Sequence, residues 1–203
     1  MSAARASEPA SFAFTPENRT KADAAIAKYP KGRQASAVLA LFDLAQRQSG
    51  GWLPRVAIEY VAGLLGMPYI RAYEVATFYS MLNLKPVGQH LVQLCRTTPC
   101  WLRGSDGVRD ACKRKLGIGI GETTADGEFT LVEVECLGAC VNAPVVQIDD
   151  EFYEDLSPEK MEEILARLAR GEKVPYGAQI KRQFSAPVGG LTTLKEAGGA
   201  EKA

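Results

Sequence analysis

The sequence predicts an α+β protein in which a helical bundle precedes a smaller mixed α/β domain. Two observations lead to this fold class. Apolar residues recur at helical spacing from about residue 15 to residue 82, and after "NLKPVGQ" they form short, strand-like runs instead. The chain has 203 residues, of which 46% are hydrophobic, so it can form one fair-sized core or two small ones.

Four helices are predicted in the first region. Thr15 is suited to be an N-cap and Pro16 to occupy the first helical position. In "QASAVLALFDLAQRQSGG" apolar residues follow the i, i+3, i+4, i+7 rule, and the Gly-Gly pair supplies a stop. Two further apolar segments each begin near a proline and are separated by Gly66. We therefore assign residues 15–85 to a helical bundle.

The second region alternates between strands and helices. The run "HLVQLC" reads as a buried strand that ends on Cys95, and residues 102–116 are amphipathic at helical spacing. "EFTLVEVEC" alternates as a strand that delivers Cys136. A hairpin is predicted around Asp149-Asp150, and Ser157 is a suitable N-cap for a last helix.

This order of elements is typical of a mixed sheet with helices packed on it, as in a thioredoxin-like domain, which we assign to residues 86–180. Residues 1–14 have no helical period, and we expect a disordered N-terminal tail. Residues 181–203 are rich in Gly, Ala and Thr without any period. We expect them to form an extended C-terminal tail with no core of its own.

Charge and hydropathy exclude several classes of partner. Lys plus Arg equals Asp plus Glu at 24 each, so no overall field attracts nucleic acid or an anionic membrane. The chain shows neither a signal peptide nor the roughly 20 apolar residues of a membrane span. Without a secretory signal, the five cysteines are expected to be reduced or to bind a metal.

Four of the cysteines form two close pairs. Cys95 and Cys100 have four residues between them, Cys136 and Cys140 have three, and 35 residues separate the pairs. In each pair the first cysteine ends a predicted strand and the second lies in the loop that follows. Loops after neighbouring strands can converge at one edge of a sheet, which predicts a metal centre with four thiolate ligands. Cys112 lies on the apolar face of the predicted helix and is interpreted as a core residue.

The spacing alone leaves two metals open. Zinc also accepts four thiolates, but its ligands usually come as C-x₂-C, and this chain has no such pair. A [2Fe-2S] cluster needs more widely spaced ligands and backbone N–H groups near sulfur. The small residues Gly138 and Ala139 permit that close approach of the backbone. The residues thus favour an iron–sulfur site, with a structural zinc module as the alternative.

Other candidate sites carry little weight. His90 begins a strand without any partner at ligand spacing, so we expect a surface or edge residue and no catalytic set around it. "GIGIGET" does not open a helix directly after a strand, so it is interpreted as a helix exit and not as a dinucleotide loop. Arg96 and Arg103 flank the first cysteine pair and are candidates for offsetting negative charge there.

The segments "CRTTPCWLRGSD", "ECLGACVNAPVVQIDDEFYEDLSPEKMEEIL" and "APVGGLTTLKE", together with "FYSML", resemble the 24-kDa, thioredoxin-like [2Fe-2S] subunits of respiratory complex I, the NADH:quinone oxidoreductase. The resemblance covers about residues 12–196. It implies that Cys95, Cys100, Cys136 and Cys140 are the ligands of a [2Fe-2S] cluster, and all four positions are intact.

The resemblance also implies a function and partners. The chain would exchange single electrons with the FMN of a larger flavoprotein subunit, which binds NADH, and would not turn over NADH alone. The helical bundle and the C-terminal tail would hold that partner among the other peripheral-arm subunits. The complex would lie on the cytoplasmic side of a bacterial inner membrane, or alternatively on the mitochondrial matrix side. An equivalent subunit of an NAD-linked formate dehydrogenase or hydrogenase is the alternative assignment.

Overall fold

The computed structural model describes residues 8–182, 184–190 and 192–193. The chain divides into two compact units. The first runs through residue 89 and includes residues 125–127, and the second comprises residues 90–124 and the chain from residue 128 onward.

The first unit is a helical bundle. Its helices are α1 (Pro16–Ile26), α2 (Val38–Gln48), α3 (Arg55–Leu64) and α4 (Tyr69–Phe78), and a 3-10 turn, Gln34–Ala37, leads into α2. They enclose a single core centred on the apolar faces of α2 and α3, whose fully buried members include Leu41, Phe42, Ile58 and Val61. All four predicted helices are therefore present.

The ends of these helices follow from local chemistry. The hydroxyl of Thr15 accepts a hydrogen bond from the backbone N–H of Asn18 at 3.2 Å, and Pro16 occupies the first turn, as predicted. Helix α4 stops at Phe78, earlier than the apolar pattern suggested, because Tyr79 already has extended backbone angles.

The N-terminal segment differs from the prediction. Residues 1–7 of the predicted disordered tail lie outside the described residues, but residues 8–14 pack on the bundle. Phe14 is buried, and the rings of Phe12, Phe14 and Tyr60 contact one another edge-to-face with centroids 5.4–5.5 Å apart. Gln48 also donates to the carbonyl of Ala13 at 2.8 Å. Two aromatic rings hold a segment that has no helical period.

The second unit is built on a six-stranded mixed sheet with the order β2-β3-β1-β4-β5-β6. The strands are β1 (His90–Cys95), β2 (Glu122–Thr123), β3 (Phe129–Val134), β4 (Val146–Ile148), β5 (Glu151–Glu154) and β6 (Gly177–Ala178). Strand β1 pairs in parallel with β3 and antiparallel with β4, and β4 and β5 form the predicted hairpin. The two-residue strands β2 and β6 were not predicted, because they are too short to show a period.

The first helical region of this unit differs from the prediction, whereas the last helix does not. The helix expected over residues 102–116 is instead a short helix α5 (Thr98–Leu102) and a separate helix α6 (Ser105–Leu116). Gly104, with φ of 94°, lies between them and breaks the helical path. Helix α7 (Pro158–Leu168) begins as predicted, with the Ser157 hydroxyl accepting from the N–H of Lys160 at 3.2 Å.

One face of the sheet packs against α6 and α7. The apolar core there combines residues of β1, β3 and β4 with both helices, including Val92, Leu131, Ile148, Val108, Met161 and Ile164. Cys112 of α6 belongs to this core and is fully buried, which confirms the prediction that it is a core residue. Among the described residues, no helix is long and apolar enough to cross a membrane.

Candidate metal centre

Parallel pairing of β1 and β3 brings the two cysteine pairs to one edge of the sheet. In this register Cys95, the last residue of β1, lies opposite Val134, the last residue of β3. Cys136 follows only two residues later. Because parallel strands end at the same edge, the loops after β1 and β3 start side by side. Both loops therefore start from one edge of the sheet, as the sequence predicted.

The first pair is buried. Cys95 is 3% exposed and Cys100 is 1% exposed. Cys100 was predicted in a loop, but it lies in the short helix α5, which starts directly after β1. The hydroxyl of Thr97 is 3.3 Å from the Cys95 sulfur. This pair forms a small apolar cluster with Ala143 and Val145, which come from the segment leading into β4.

The two thiols of this pair differ in acidity. Burial opposes ionisation of Cys95, but hydrogen bonds from the Thr97 hydroxyl and from the backbone N–H groups of Leu137 and Thr97 outweigh it and lower its pKa. Burial, followed by the hydrogen bond with Cys95, raises the pKa of Cys100 to about 12. Leu137 belongs to the loop after β3, so this loop donates a backbone hydrogen bond to the sulfur of Cys95 at the end of β1.

The second pair is exposed and close. The sulfurs of Cys136 and Cys140 are 3.4 Å apart. The backbone N–H of Gly138 donates to the Cys136 sulfur at 3.4 Å, and this bond, followed by contacts with the Cys140 thiol and Thr97, lowers the pKa of Cys136. The pKa of Cys140 is raised, mainly by its hydrogen bond with Cys136. Gly138 has φ of 84°, so the turn that aims its N–H at sulfur favours glycine.

The ionisation of each of the four thiols depends on the charge of the others. Negative charge on Cys95 disfavours ionisation of both Cys136 and Cys140, and charge on Cys140 does the same to Cys100. In the described part of the chain, however, no three His, Cys, Asp or Glu residues are grouped as ligands of one metal ion. The two cysteine pairs on adjacent loops offer the four thiolates that a two-iron cluster shares between its two metals.

The surroundings offset negative charge mainly through the backbone. The N–H groups of Leu137, Gly138 and Val145 all approach cysteine sulfurs. Arg96 is two-thirds exposed and its guanidinium donates to Glu133 at 3.1 Å, so its positive charge is largely balanced. Arg103 ends α5 and is exposed. The sequence predicted that Gly138 permits such an approach, but it did not reveal the donors Leu137 and Val145, because any non-proline residue can provide an N–H group.

Large exposed apolar side chains directly follow two of the cysteines in the sequence. Trp101 and Leu102, directly after Cys100, are 57% and 71% exposed, and Val141, directly after Cys140, is 70% exposed. Large apolar side chains that are exposed in this way are typical of an interaction surface. Their position next to two thiols could have been noted from the sequence, but their exposure depends on the tertiary structure.

The remaining candidates lie away from this chemistry. His90 begins β1 as predicted, but its side chain is only 20% exposed and its Nδ1 is 2.7 Å from the carboxylate of Asp149. That partner is 59 residues away in the sequence, so the spacing of residues along the chain could not predict it. "GIGIGET" is a helix exit, as predicted, because Gly117 caps α6 in the left-handed conformation.

Comparison with known proteins agrees with this geometry. Residues 22–169 match the model of the thioredoxin-like [2Fe-2S] ferredoxin family. A subunit of the NADH-quinone oxidoreductase of Rickettsia bellii is 63% identical over 157 residues, which cover 77% of this chain and 94% of the relative. NADH dehydrogenase [ubiquinone] flavoprotein 2, mitochondrial, of Dictyostelium discoideum is 49% identical over 185 residues, covering 91% and 75% respectively.

A solved structure shares the fold at low identity. The crystal structure of an NAD⁺-reducing [NiFe]-hydrogenase aligns with a TM-score of 0.56 and 16% identity. The alignment covers 66% of this chain and 23% of the hydrogenase chain. At this identity the likeness shows the fold alone. The family match confirms the predicted fold class and the predicted [2Fe-2S] cofactor.

Proposed function

Because this chain belongs to the thioredoxin-like [2Fe-2S] ferredoxin family, we propose that it is the [2Fe-2S] electron-transfer subunit of an NADH:quinone oxidoreductase, with Cys95, Cys100, Cys136 and Cys140 as the cluster ligands. The observation that carries this proposal is the arrangement of the thiols in two close pairs at one sheet edge. When bound, such a cluster accepts and releases one electron at a time.

The chain's own residues prepare the site for that role. The buried pair, Cys95 and Cys100, and the exposed pair, Cys136 and Cys140, would together hold the cluster, which would supply one-electron chemistry at this edge of the sheet. Backbone N–H groups point at sulfur and stabilise added negative charge. Because Cys136 and Cys140 are exposed, a redox partner can approach the site without a change in the fold.

We expect the partner to be the flavoprotein that binds NADH and FMN. Support comes from the exposed apolar residues beside the cysteines and from the names of the relatives, which belong to NADH dehydrogenases. The glycine-rich segment after α6 is a helix exit and does not form a dinucleotide-binding loop. The assembly is peripheral, and we place it on the cytoplasmic side of a bacterial inner membrane.

The hydrogenase-type alternative rests on the shared fold. Its 16% identity contrasts with 63% identity to the quinone-linked relative, which favours the respiratory assignment. A fold shared at such low identity is compatible with different accompanying subunits and different electron acceptors.

Anaerobic purification tests the cofactor and its ligands. The full chain should be coloured, contain about two irons and two sulfides with little zinc, and give an EPR signal after reduction with dithionite. Cys100→Ser and Cys136→Ser should each lose most of the iron. A colourless wild-type protein that contains zinc and no iron would refute the proposal.

Co-expression tests the partner. We expect the full chain to co-purify with the NADH- and FMN-binding subunit, and Trp101→Ser to weaken this association while the cluster's absorption spectrum is retained. Undiminished co-purification of this variant would remove Trp101 from the interface.

A further inference from the structure

A buried network of polar side chains lies next to the loop that carries Cys140. Arg182 and Asp155 form an ion pair at 3.3 Å, and both side chains are 6% exposed. The same Nη1 of Arg182 donates to the side-chain oxygen of Asn142 and lies 3.4 Å from the carbonyl oxygen of Val141. Arg182 thus joins three residues that are 27 to 41 positions away from it in sequence.

Asn142 connects this network to the main chain around Cys140. Its side-chain amide donates to the carboxylate of Glu154 and, at 3.2 Å, to the carbonyl of Phe184. Its backbone N–H donates to the carbonyl of Ala139 at 3.0 Å, and its carbonyl accepts from Asp155 at 2.7 Å. Asn142 is 3% exposed, so water does not compete for these hydrogen bonds. The 3-10 turn Cys140–Asn142 is therefore held at its C-terminal end by several bonds.

Cys140 itself has little packing to position it. Its side chain is exposed, and among the described residues the close contact of its sulfur is with the neighbouring thiol of Cys136. The residues before it, Gly138 and Ala139, are small. Because side-chain packing does little to aim this thiol, the conformation of the turn after it must determine where it points.

We propose that Arg182 is a positioning residue for Cys140: by binding the carbonyl of Val141, the amide of Asn142 and the carboxylate of Asp155, it holds the turn that aims this thiol at the cluster. The proposal rests on the proposed function, in which Cys140 is a ligand. It assigns a role to a residue of the C-terminal segment that no cysteine motif includes, and outer residues that orient ligands commonly determine metal retention.

Two substitutions in the full chain test the proposal. Arg182→Met removes the guanidinium but keeps an unbranched side chain, and Asn142→Ala removes the side-chain contact between Arg182 and the turn while leaving Arg182 bound to Asp155 and to the carbonyl of Val141. Arg114→Met is the matched control, because Arg114 is 63% exposed and pairs with Glu162 across α6 and α7. Each protein is reconstituted anaerobically, and its cluster is challenged with an iron chelator.

We expect the visible absorbance of the cluster to decay about 10- to 100-fold faster in Arg182→Met and Asn142→Ala than in the wild type. The EPR spectrum of the reduced protein should change its g-values in both variants, because the geometry of one thiolate changes. The double variant should decay no faster than the more affected single variant, since both act through one network. The control should match the wild type in decay rate and in spectrum.

The outcomes separate this proposal from the function on which it rests. Circular dichroism of the apo-proteins identifies a variant that fails to fold, and in that case Asn142→Ala carries the test alone. A folded Asn142→Ala protein with wild-type decay and wild-type g-values would overturn the proposal, as would additive effects of the two substitutions. A wild-type protein that binds no iron would instead refute the proposed function.

Discussion

Two serine substitutions separate a structural thiol from a ligand thiol. Cys112 is fully buried in the core between the sheet, α6 and α7, whereas Cys136 is exposed at the sheet edge. Serine is close to cysteine in size, so each change replaces sulfur with a hydroxyl and disturbs little else. Cys112→Ser should therefore lose stability but keep its iron, whereas Cys136→Ser should keep its stability but lose iron.

The magnitude at Cys112 follows from its surroundings. The apolar side chains of this core offer a hydroxyl no hydrogen-bond partner, which leaves it only a backbone carbonyl of its own helix, and burying a poorly paired hydroxyl costs about 1–3 kcal/mol. With a urea m-value of about 2 kcal/mol/M, a loss of about 2 kcal/mol lowers the unfolding midpoint by about 1 M. The iron content of Cys112→Ser should remain near that of the wild type, because this core does not include the four paired cysteines.

At Cys136 the expectation is reversed. The unfolding midpoint of the apo-protein should barely change, because an exposed serine is well solvated, whereas the iron content of the purified protein should fall sharply. Urea unfolding of both apo-variants, and iron and sulfide analysis of both as purified, provide the comparison. Equal iron loss in Cys112→Ser and Cys136→Ser would refute the interpretation of Cys112 as a core residue with no role at the cluster, and wild-type iron content in Cys136→Ser would refute Cys136 as a ligand.

Three further predictions concern pH, the C-terminal tail and surface charge. Burial raises the pKa of Cys112 from 9.0 to about 12, so between these values only the unfolded chain loses this proton. The stability advantage of wild type over Cys112→Ser, measured by urea unfolding, should thus be constant below pH 8 and shrink by about 1 kcal/mol from pH 9 to 10; an unchanged difference would mean that the thiol ionises in the folded state. Deleting residues 187–203, which leaves Arg182 in place, should weaken co-purification with the flavoprotein and preserve the cluster's spectrum, and full co-purification would exclude this segment from the interface. Arg96→Gln should shift the cluster's midpoint potential less than Arg182→Met does, because Arg96 is exposed and paired with Glu133; a larger shift would show that its charge acts on the cluster.

Local patterns were sufficient for the elements and for the identity of the candidate ligands. The caps at Thr15 and Ser157, the hairpin and the buried position of Cys112 depend on interactions between residues close in sequence, and all are present in the structure. The break at Gly104 and the packing of Phe12 were missed, because a single glycine and an isolated aromatic residue have no period to detect.

The sequence by itself determined which thiols occur in pairs and which of the longer segments are helix or strand, because spacing and periodicity depend only on the order of residues. Only the tertiary structure decided that β1 and β3 run in parallel, and hence that Cys95 and Cys136 start from the same edge. It also decided the contacts of Arg182 with Asn142 and of His90 with Asp149, 40 and 59 residues apart. Such contacts are set when distant segments pack into one core, and their geometry cannot be read from the order of residues alone.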